Sequence, residues 1–396
     1  MPAFFLHRPA KIPDAATLSL QLLAAAKWGR TDEIIDLLAL GADVQAADAA
    51  GNSALKLAAS HGHAAAVRAL LNAGSELDAA NNCGYAALHA SAASGHISCV
   101  RTLIRARADV GAVNRSGITA LAMAATNGHT LCARVLIEAG SPLNTPNSAG
   151  YTALMQAAFG GHSDAARALI DAGASMTAAS EHGHTAMLAA AISGDEDTIR
   201  ALIEAGCGLA DRDRNGLTPL AVAASRGHAD TADVLIAYGA PLDTRTRNGR
   251  SALHLASANG HAAIVESLIE AGCGVGDVDD YGDTALHMAS KGDRAAVVEL
   301  LLSEGSDIMA KDRRGNIPLH QAAFAGAANA ALMLIEAGSD IMARNAWGST
   351  PFDLAKMNGK TEAATSIRRS EPPRKRGRRP EPDSGRGWRD EAWLAA

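Results

Sequence analysis

The chain has 396 residues, of which 48% are hydrophobic and 3% aromatic, and its formal net charge is −6. A core with so few large rings must be built from many small contacts, which suits stacked helices better than a sandwich or barrel. Its apolar runs fall short of the roughly 18 residues that cross a bilayer, so no membrane-spanning helix is predicted. Five cysteines, an odd number without a C-x-x-C pair, favour reduced thiols and a reducing compartment.

Residues 1–16 predict a short leader ahead of a helical array. The N-terminal sequence "MPAFFLHRPAKIP" has only a brief apolar patch before His7, Arg8 and Pro9, which is too short for a secretory signal. We therefore expect a soluble, unsecreted protein. Residues 17–48 lack the turn that opens later units, so we expect them to form an N-terminal cap.

Three interleaved series of residues recur at an interval of 33 along the chain. Glycine fills nearly every place, and Asp293 and Arg107 are the substitutes. A recurring glycine indicates a turn that needs a positive φ, and Asp is among the few residues tolerated there. The first series runs Gly51, Gly84, Gly117, Gly150, Gly183, Gly216, Gly249, Gly282, Gly315, Gly348.

Two short helical patterns lie between the glycines of each unit. The first starts with Thr or Ser as a cap and Pro or Ala in its first turn, as in "TPLAVAASRG" at 218–227. The second carries an apolar pair at the same period, such as Leu202–Ile203. Paired small residues such as Ala223–Ala224 let the helices approach closely, so the units should stack on one continuous core.

These motifs resemble the ankyrin repeat. "GLTPLAVAA" at 216–224, "GDTALHMAS" at 282–290 and "GNIPLHQAA" at 315–323 fit the family's G-x-T-P-L-H-x-A-A signature. The resemblance spans residues 17–369 and implies an all-α solenoid of about eleven stacked helix–turn–helix units with connecting β-hairpin turns. It also implies non-covalent recognition of a protein partner, without a cofactor or catalysis. The fold does not identify the partner.

The stretch "DRDRNG" at 211–216 opens like a helix–loop–helix calcium loop. The twelfth position of that loop must supply a bidentate acid, and here it is Val222. The repeat predicts a tight turn between units instead, where Asp, Asn and Gly suit turn geometry. "GCGVGD" at 272–277 lacks the Lys-Ser/Thr and the preceding strand of a phosphate loop, and it also follows the period.

The 14 histidines raise the question of a metal site. Ten of them occupy repeat-fixed positions, after a glycine or in the first helices, where we expect bonds to neighbouring loops. His182 and His184 flank a turn glycine without zinc-site spacing and are not expected to bind metal. Cys99 and Cys132 fall on neighbouring second helices and are expected to be core side chains.

The turns and first helices between residues 212 and 347 are rich in arginine and aromatic residues. In ankyrin proteins the partner binds a concave face of turn tips and first helices, and these residue types are enriched at binding hot spots. We expect a partner with an acidic surface, although an ordinary solvated tip explains any single residue. The predicted partner-binding residues are Arg212, Arg214, Arg226, Arg245, Arg247, Arg250, Tyr281, Arg313, Arg314, Phe324 and Trp347.

Residues 346–369 predict a C-terminal cap, because Lys356 and Arg368 replace apolar members of the repeated pairs. Residues 370–396 lose the repeat and predict a basic, Pro-rich, disordered tail. Residues 368–380 carry a net charge of +6 and residues 381–396 carry −2, which leaves −10 for residues 1–367.

The tail supports an alternative function, a nuclear or nucleic-acid-associated regulator. A basic cluster can act as a nuclear-import signal or contact phosphates, while an inert solubilising tail fits the same composition. Trp388, Trp393 and Leu394 favour a short docking peptide. We expect an intracellular, monomeric protein that is cytoplasmic and, under this alternative, also nuclear. The candidate import or nucleic-acid residues are Arg374, Lys375, Arg376, Arg378 and Arg379.

Overall fold

A computed structural model describes residues 14–370, which form 22 helices in consecutive pairs joined by tight turns. It confirms the expected all-α solenoid, while the number of repeats stays a prediction. The first helices of the pairs are α1 (Ala15–Trp28), α3 (Ala54–Ser60), α5 (Ala87–Ala93), α7 (Ala120–Thr126), α9 (Ala153–Phe159), α11 (Ala186–Ser193), α13 (Pro219–Arg226), α15 (Ala252–Asn259), α17 (Ala285–Lys291), α19 (Pro318–Ala325) and α21 (Pro351–Met357). The second helices are α2 (Thr31–Ala39), α4 (Ala64–Asn72), α6 (Ile97–Arg105), α8 (Thr130–Glu138), α10 (Ser163–Asp171), α12 (Glu196–Glu204), α14 (Ala229–Ala237), α16 (Ala262–Glu270), α18 (Ala295–Ser303), α20 (Ala328–Glu336) and α22 (Thr361–Arg369).

The connecting turns contain isolated antiparallel bridges, and no β-strand forms within residues 14–370. The bridges join Ala47 with Ser53, Val113 with Thr119, and Val278 with Thr284. In the same part of the chain, every helix is too short or too polar to span a membrane.

A polar cap opens most first helices, and α13 illustrates the arrangement. Thr218 is extended, and its Oγ1 accepts a hydrogen bond from Ala221 N at 3.3 Å, which satisfies an otherwise free amide of the first turn. Pro219 occupies the first helical position, where a missing N–H costs nothing. The helix ends at Gly227, whose φ of +83° suits glycine.

The helix pairs share one continuous apolar core. Leu154 and Leu169 are completely buried, as are Ala157 and Ala158, whose small side chains leave room for neighbouring helices. Cys99 and Cys132 are buried core side chains with free thiols, as predicted. Full burial of one leucine contributes about 1.5–3 kcal/mol. Each unit obtains that burial only by stacking on its neighbours.

Close packing of the first helices gives the stack its concave side. Neighbouring first helices pack more closely than neighbouring second helices, so the array curves towards the first helices and the turns beside them. Histidines bond neighbouring loops, as predicted: His228 Nε2 lies 3.2 Å from Ile192 O, and His254 Nε2 lies 3.0 Å from Asp283 O. The first of these contacts recurs at His63, His96, His129, His162 and His261.

The two ends of the array differ from its interior. Asp14 caps α1 by accepting a hydrogen bond from Thr17 N at 2.7 Å, so this helix begins inside the predicted leader. In the last pair Ala355 and Ile367 are buried whereas Lys356 and Arg368 are exposed. The remaining domain boundaries stay predictions.

Candidate partner-binding surface

A side-chain oxygen organises each inter-unit turn. Oδ1 of Asp213 accepts hydrogen bonds from the backbone amides of Asn215 and Leu217, both at 2.8 Å. Gly216 between them has a φ of +79°, and an added Cβ would lie 3.3 Å from the amide nitrogen of Arg247. The sequence at 211–216 thus builds a turn, as predicted. Across residues 14–370 no group of three or more His, Cys, Asp or Glu side chains could hold a metal ion.

Backbone hydrogen bonds join neighbouring turns into one row. The amide of Arg214 donates to His182 O at 3.0 Å, and the amide of Arg313 donates to Tyr281 O at 3.0 Å. The same bond recurs in every turn across residues 82–346. Because these amides are fixed by the neighbouring turn, the side chains beside them project from a pre-organised edge.

Side chains 29 residues apart add a second link between some turns. Nε of Arg250 donates to Oδ2 of Asp279 at 3.2 Å, and Nδ2 of Asn345 donates to Oδ1 of Asn316 at 2.9 Å. The Asp279 side chain is fully buried. Arg250 therefore neutralises a buried carboxylate, a structural role that its repeat position had not indicated.

A groove of about 850 Å³ opens on the concave side of the C-terminal units, between the turns and helices α17, α19 and α21. Six of the eleven predicted partner-binding residues line it: Arg250, Tyr281, Arg313, Arg314, Phe324 and Trp347. The structure thus brings the C-terminal part of the predicted set together around one depression.

The rim of this groove is cationic and aromatic. Tyr281, Phe324 and Trp347 are 52%, 47% and 67% exposed. Large apolar side chains exposed together are typical of an interaction site. The guanidinium carbon of Arg314 lies 6.0 Å from the Trp347 ring centroid, within the range of a cation–π contact. Arg313 is also exposed.

The floor of the groove is polar and mostly buried. Asp312 Oδ2 accepts hydrogen bonds from Asn316 Nδ2 at 2.9 Å and Gln321 Nε2 at 3.0 Å, and its Oδ1 accepts backbone amides. Gln321 also reaches Asp283 Oδ1 at 3.3 Å. Burial raises the pKa of Asp283, and the carboxylates of Asp279 and Asp312 raise it further. The carboxylates on the floor are therefore buried or already hydrogen-bonded within the groove, whereas the cations on the rim face solvent.

The other five predicted partner-binding residues do not line the groove. Arg212, Arg214 and Arg247 are exposed at the turns, and Arg226 is exposed at the end of α13. Arg245 lies 2.7 Å from the Asp277 carboxylate and is partly buried. They extend the cationic edge towards the N-terminal units, and their part in binding stays a prediction.

Sequence reasoning missed the floor residues Asp312 and Gln321. Aligning the units would have given one signal. The position after each turn glycine holds Arg250, Asp283 and Asn316 in three consecutive units, a polar run at a place that contacts the next turn. The candidate tail residues, 374–376, 378 and 379, lie outside the described residues, as do Trp388 and Trp393.

Stacked helix pairs, capped first helices and a hydrogen-bonded row of turns define a helical repeat solenoid. A family model described as ankyrin repeats (3 copies) matches residues 22–114, 104–180, 176–246 and 240–312. A second model, ankyrin repeats (many copies), matches residues 315–355. The chain belongs to the ankyrin-repeat family, whose repeats are generally non-catalytic protein–protein interaction modules. No curated protein matches it significantly.

Proposed function

We propose that this chain is a non-catalytic adaptor, scaffold or inhibitor that binds the acidic surface of a protein partner in the groove of its C-terminal units. The observation that carries the proposal is the cationic and aromatic rim on a fixed edge. Arginine and aromatic side chains bury large areas with few torsions, so they dominate the energy of many interfaces.

Charge in the groove favours an acidic partner. Lys291, Arg313 and Arg314 are exposed, and none of them forms an ion pair within residues 14–370. Asp312, by contrast, has its oxygens occupied by the groove itself, and Asp280 adds one exposed carboxylate to the lining. The solvent-facing balance is positive, which steers and orients an anionic partner.

Rigidity of the turn row supports tight binding. Association costs ordering entropy whenever loops or side chains must be immobilised. Here the backbone of each turn is held by its own side-chain oxygen and by the neighbouring turn, so little further ordering is needed. The free thiols of Cys99 and Cys132 fit an intracellular, reducing location. A monomeric state stays a prediction.

Affinity capture from native lysate with matched charge variants tests the proposal. The groove variant is R313E/R314E/W347A, and the control is R101E/R134E, which reverses two exposed arginines on α6 and α8. Loss of two or more hot-spot residues should weaken capture at least about 100-fold, because each contributes about 2 kcal/mol.

Circular dichroism must show the same helicity for both variants, so that unfolding is not mistaken for lost binding. A partner that the groove variant retains, or that only the control variant loses, would reject this surface. Capture lost equally by both variants would also reject it, because general acidification of the array would then suffice.

A further inference from the structure

The groove carries a chemical pattern that describes its occupant closely. Exposed cations at Lys291, Arg313 and Arg314 lie among exposed rings at Tyr281 and Trp347. An occupant that matches this pattern needs large apolar anchors for the rings and carboxylates for the cations, within one short segment.

Such a segment occurs in this chain's own sequence. Trp388–Leu394 reads "WRDEAWL", with two tryptophans on either side of the adjacent acids Asp390 and Glu391. Residues five apart in an extended peptide are separated by about 17 Å. Turns two units apart in a stack with helix spacings of 8–10 Å are separated by about 20 Å. The two tryptophans therefore match the spacing between Tyr281 and Trp347.

The chain outside the structure is long enough to deliver this segment. Each second helix ends on the side where the next turn begins: α20 ends at Glu336, and the chain reaches the turn tip at Trp347. The equivalent helix α22 ends at Arg369, on the corresponding side of the array. Residues 371–387 then span up to about 55 Å, more than the roughly 20–40 Å across two to four units.

We propose that Trp388–Leu394 binds in the groove of its own chain and competes there with the protein partner. This inference rests on the proposed function, because it takes the groove as the binding site. The tryptophans stack on the rim rings and cations, and Asp390 and Glu391 pair with Arg313 and Arg314. The partner then gains access only by displacing the segment.

Tethering makes even a weak contact effective. A tether of this length gives an effective concentration of about 1 mM. If the free segment binds with a Kd of about 10–100 μM, the tethered copy occupies most grooves and weakens a competing ligand about 10- to 100-fold. The tethered segment therefore sets a minimum affinity that a partner must exceed in order to bind the groove.

Peptide titration on the full-length chain tests the inference. The probe is a fluorescein-labelled peptide of residues 385–396, titrated by fluorescence anisotropy into wild type and into W388A/W393A. The variant removes both anchors while leaving residues 14–370 intact. We expect the peptide to bind W388A/W393A at least about 10-fold more tightly than wild type.

Two controls locate the binding site. Adding R313E/R314E to W388A/W393A should abolish peptide binding, whereas adding R101E/R134E should leave it unchanged. A peptide with both tryptophans replaced by alanine should bind neither chain. Binding that survives R313E/R314E would overturn the groove assignment.

Other outcomes contradict the inference directly. Equal peptide affinity for wild type and W388A/W393A would show that the tethered segment does not occupy the groove. No peptide binding to either chain would exclude the segment as an occupant. Analytical ultracentrifugation tests whether the segment binds a second copy of the chain instead. A dimeric wild type beside a monomeric W388A/W393A would show this and overturn the intramolecular arrangement. Lysate capture by the rim is measured separately, so the proposed function can survive each of these failures.

Discussion

Replacing Arg250 with alanine should destabilise the turn row as well as remove a cation from the groove. Arg250 Nε lies 3.2 Å from Asp279 Oδ2, and the Asp279 side chain is 0% exposed against 33% for Arg250. Breaking a buried ion pair costs about 3–5 kcal/mol. Asp279 keeps two backbone donors and Arg250 is partly screened by solvent, so we expect a loss of about 2 kcal/mol.

Other units of the chain show how this loss can be rescued. At the same two positions, Asn81 Nδ2 donates to Asn52 Oδ1 at 2.9 Å. The double variant R250N/D279N copies that neutral pair and retains an oxygen for the backbone donors. It should unfold within about 0.5 kcal/mol of wild type, because no buried charge is left unpaired.

Urea unfolding followed by far-UV circular dichroism compares wild type, R250A and R250N/D279N. Repeat arrays can unfold in more than one step, so the midpoint of the first transition is the quantity to compare. An equal decrease in the urea midpoint for R250A and R250N/D279N would refute the reasoning. The loss of stability would then come from removing the arginine and not from leaving the Asp279 carboxylate unpaired.

Two further predictions concern the scaffold. Arg107 has a φ of +75° where equivalent units have glycine, so R107G should raise the free energy of unfolding by about 1 kcal/mol; an unchanged or lower urea midpoint would contradict this. Burial lowers the pKa of His254 and His320, so below pH about 6.5 the unfolded chain binds protons that the folded chain does not. Stability should therefore fall between about pH 7 and pH 5, less steeply in H254N/H320N than in wild type, and a urea midpoint that is independent of pH would count against it.

The regular parts of the fold were predictable because they repeat. A turn that needs positive φ selects glycine in every unit, and Asp293 at φ +54° confirms the tolerated substitute. Thr218 as a helix cap and His228 as a bond to the preceding loop follow from positions that recur at the same interval. Each of these contacts is local to one unit or to one junction, so the period alone reveals it.

The groove was less predictable because it depends on contacts between different residues of neighbouring units. The period marks Arg250 as a turn residue, but its partner Asp279 lies in the next turn, at a spacing of 29 residues. Asp283 is likewise buried and accepts a hydrogen bond from Gln321, 38 residues further along the chain. Composition showed where arginine and aromatic residues cluster, and only the packing of units showed which of them line one depression.

Turn position separates the side chains that hold the array from those left for recognition. The side chain at the first position of the turn accepts backbone hydrogen bonds: Asp312 Oδ1 accepts from the amides of Arg314 and Asn316. The side chain after the turn glycine contacts the next turn, as Asn316 does. Of the two positions between them, Arg313 donates its amide to the row and Arg314 accepts through its carbonyl oxygen, while both side chains are exposed. Tyr281 and Trp347 occupy the same turn position as Arg314 in neighbouring units. The side chains proposed to bind the partner therefore lie at positions that the packing of the array does not constrain. Substitutions at these two positions should therefore alter partner binding with little change in stability, whereas substitutions at Arg250 should alter both.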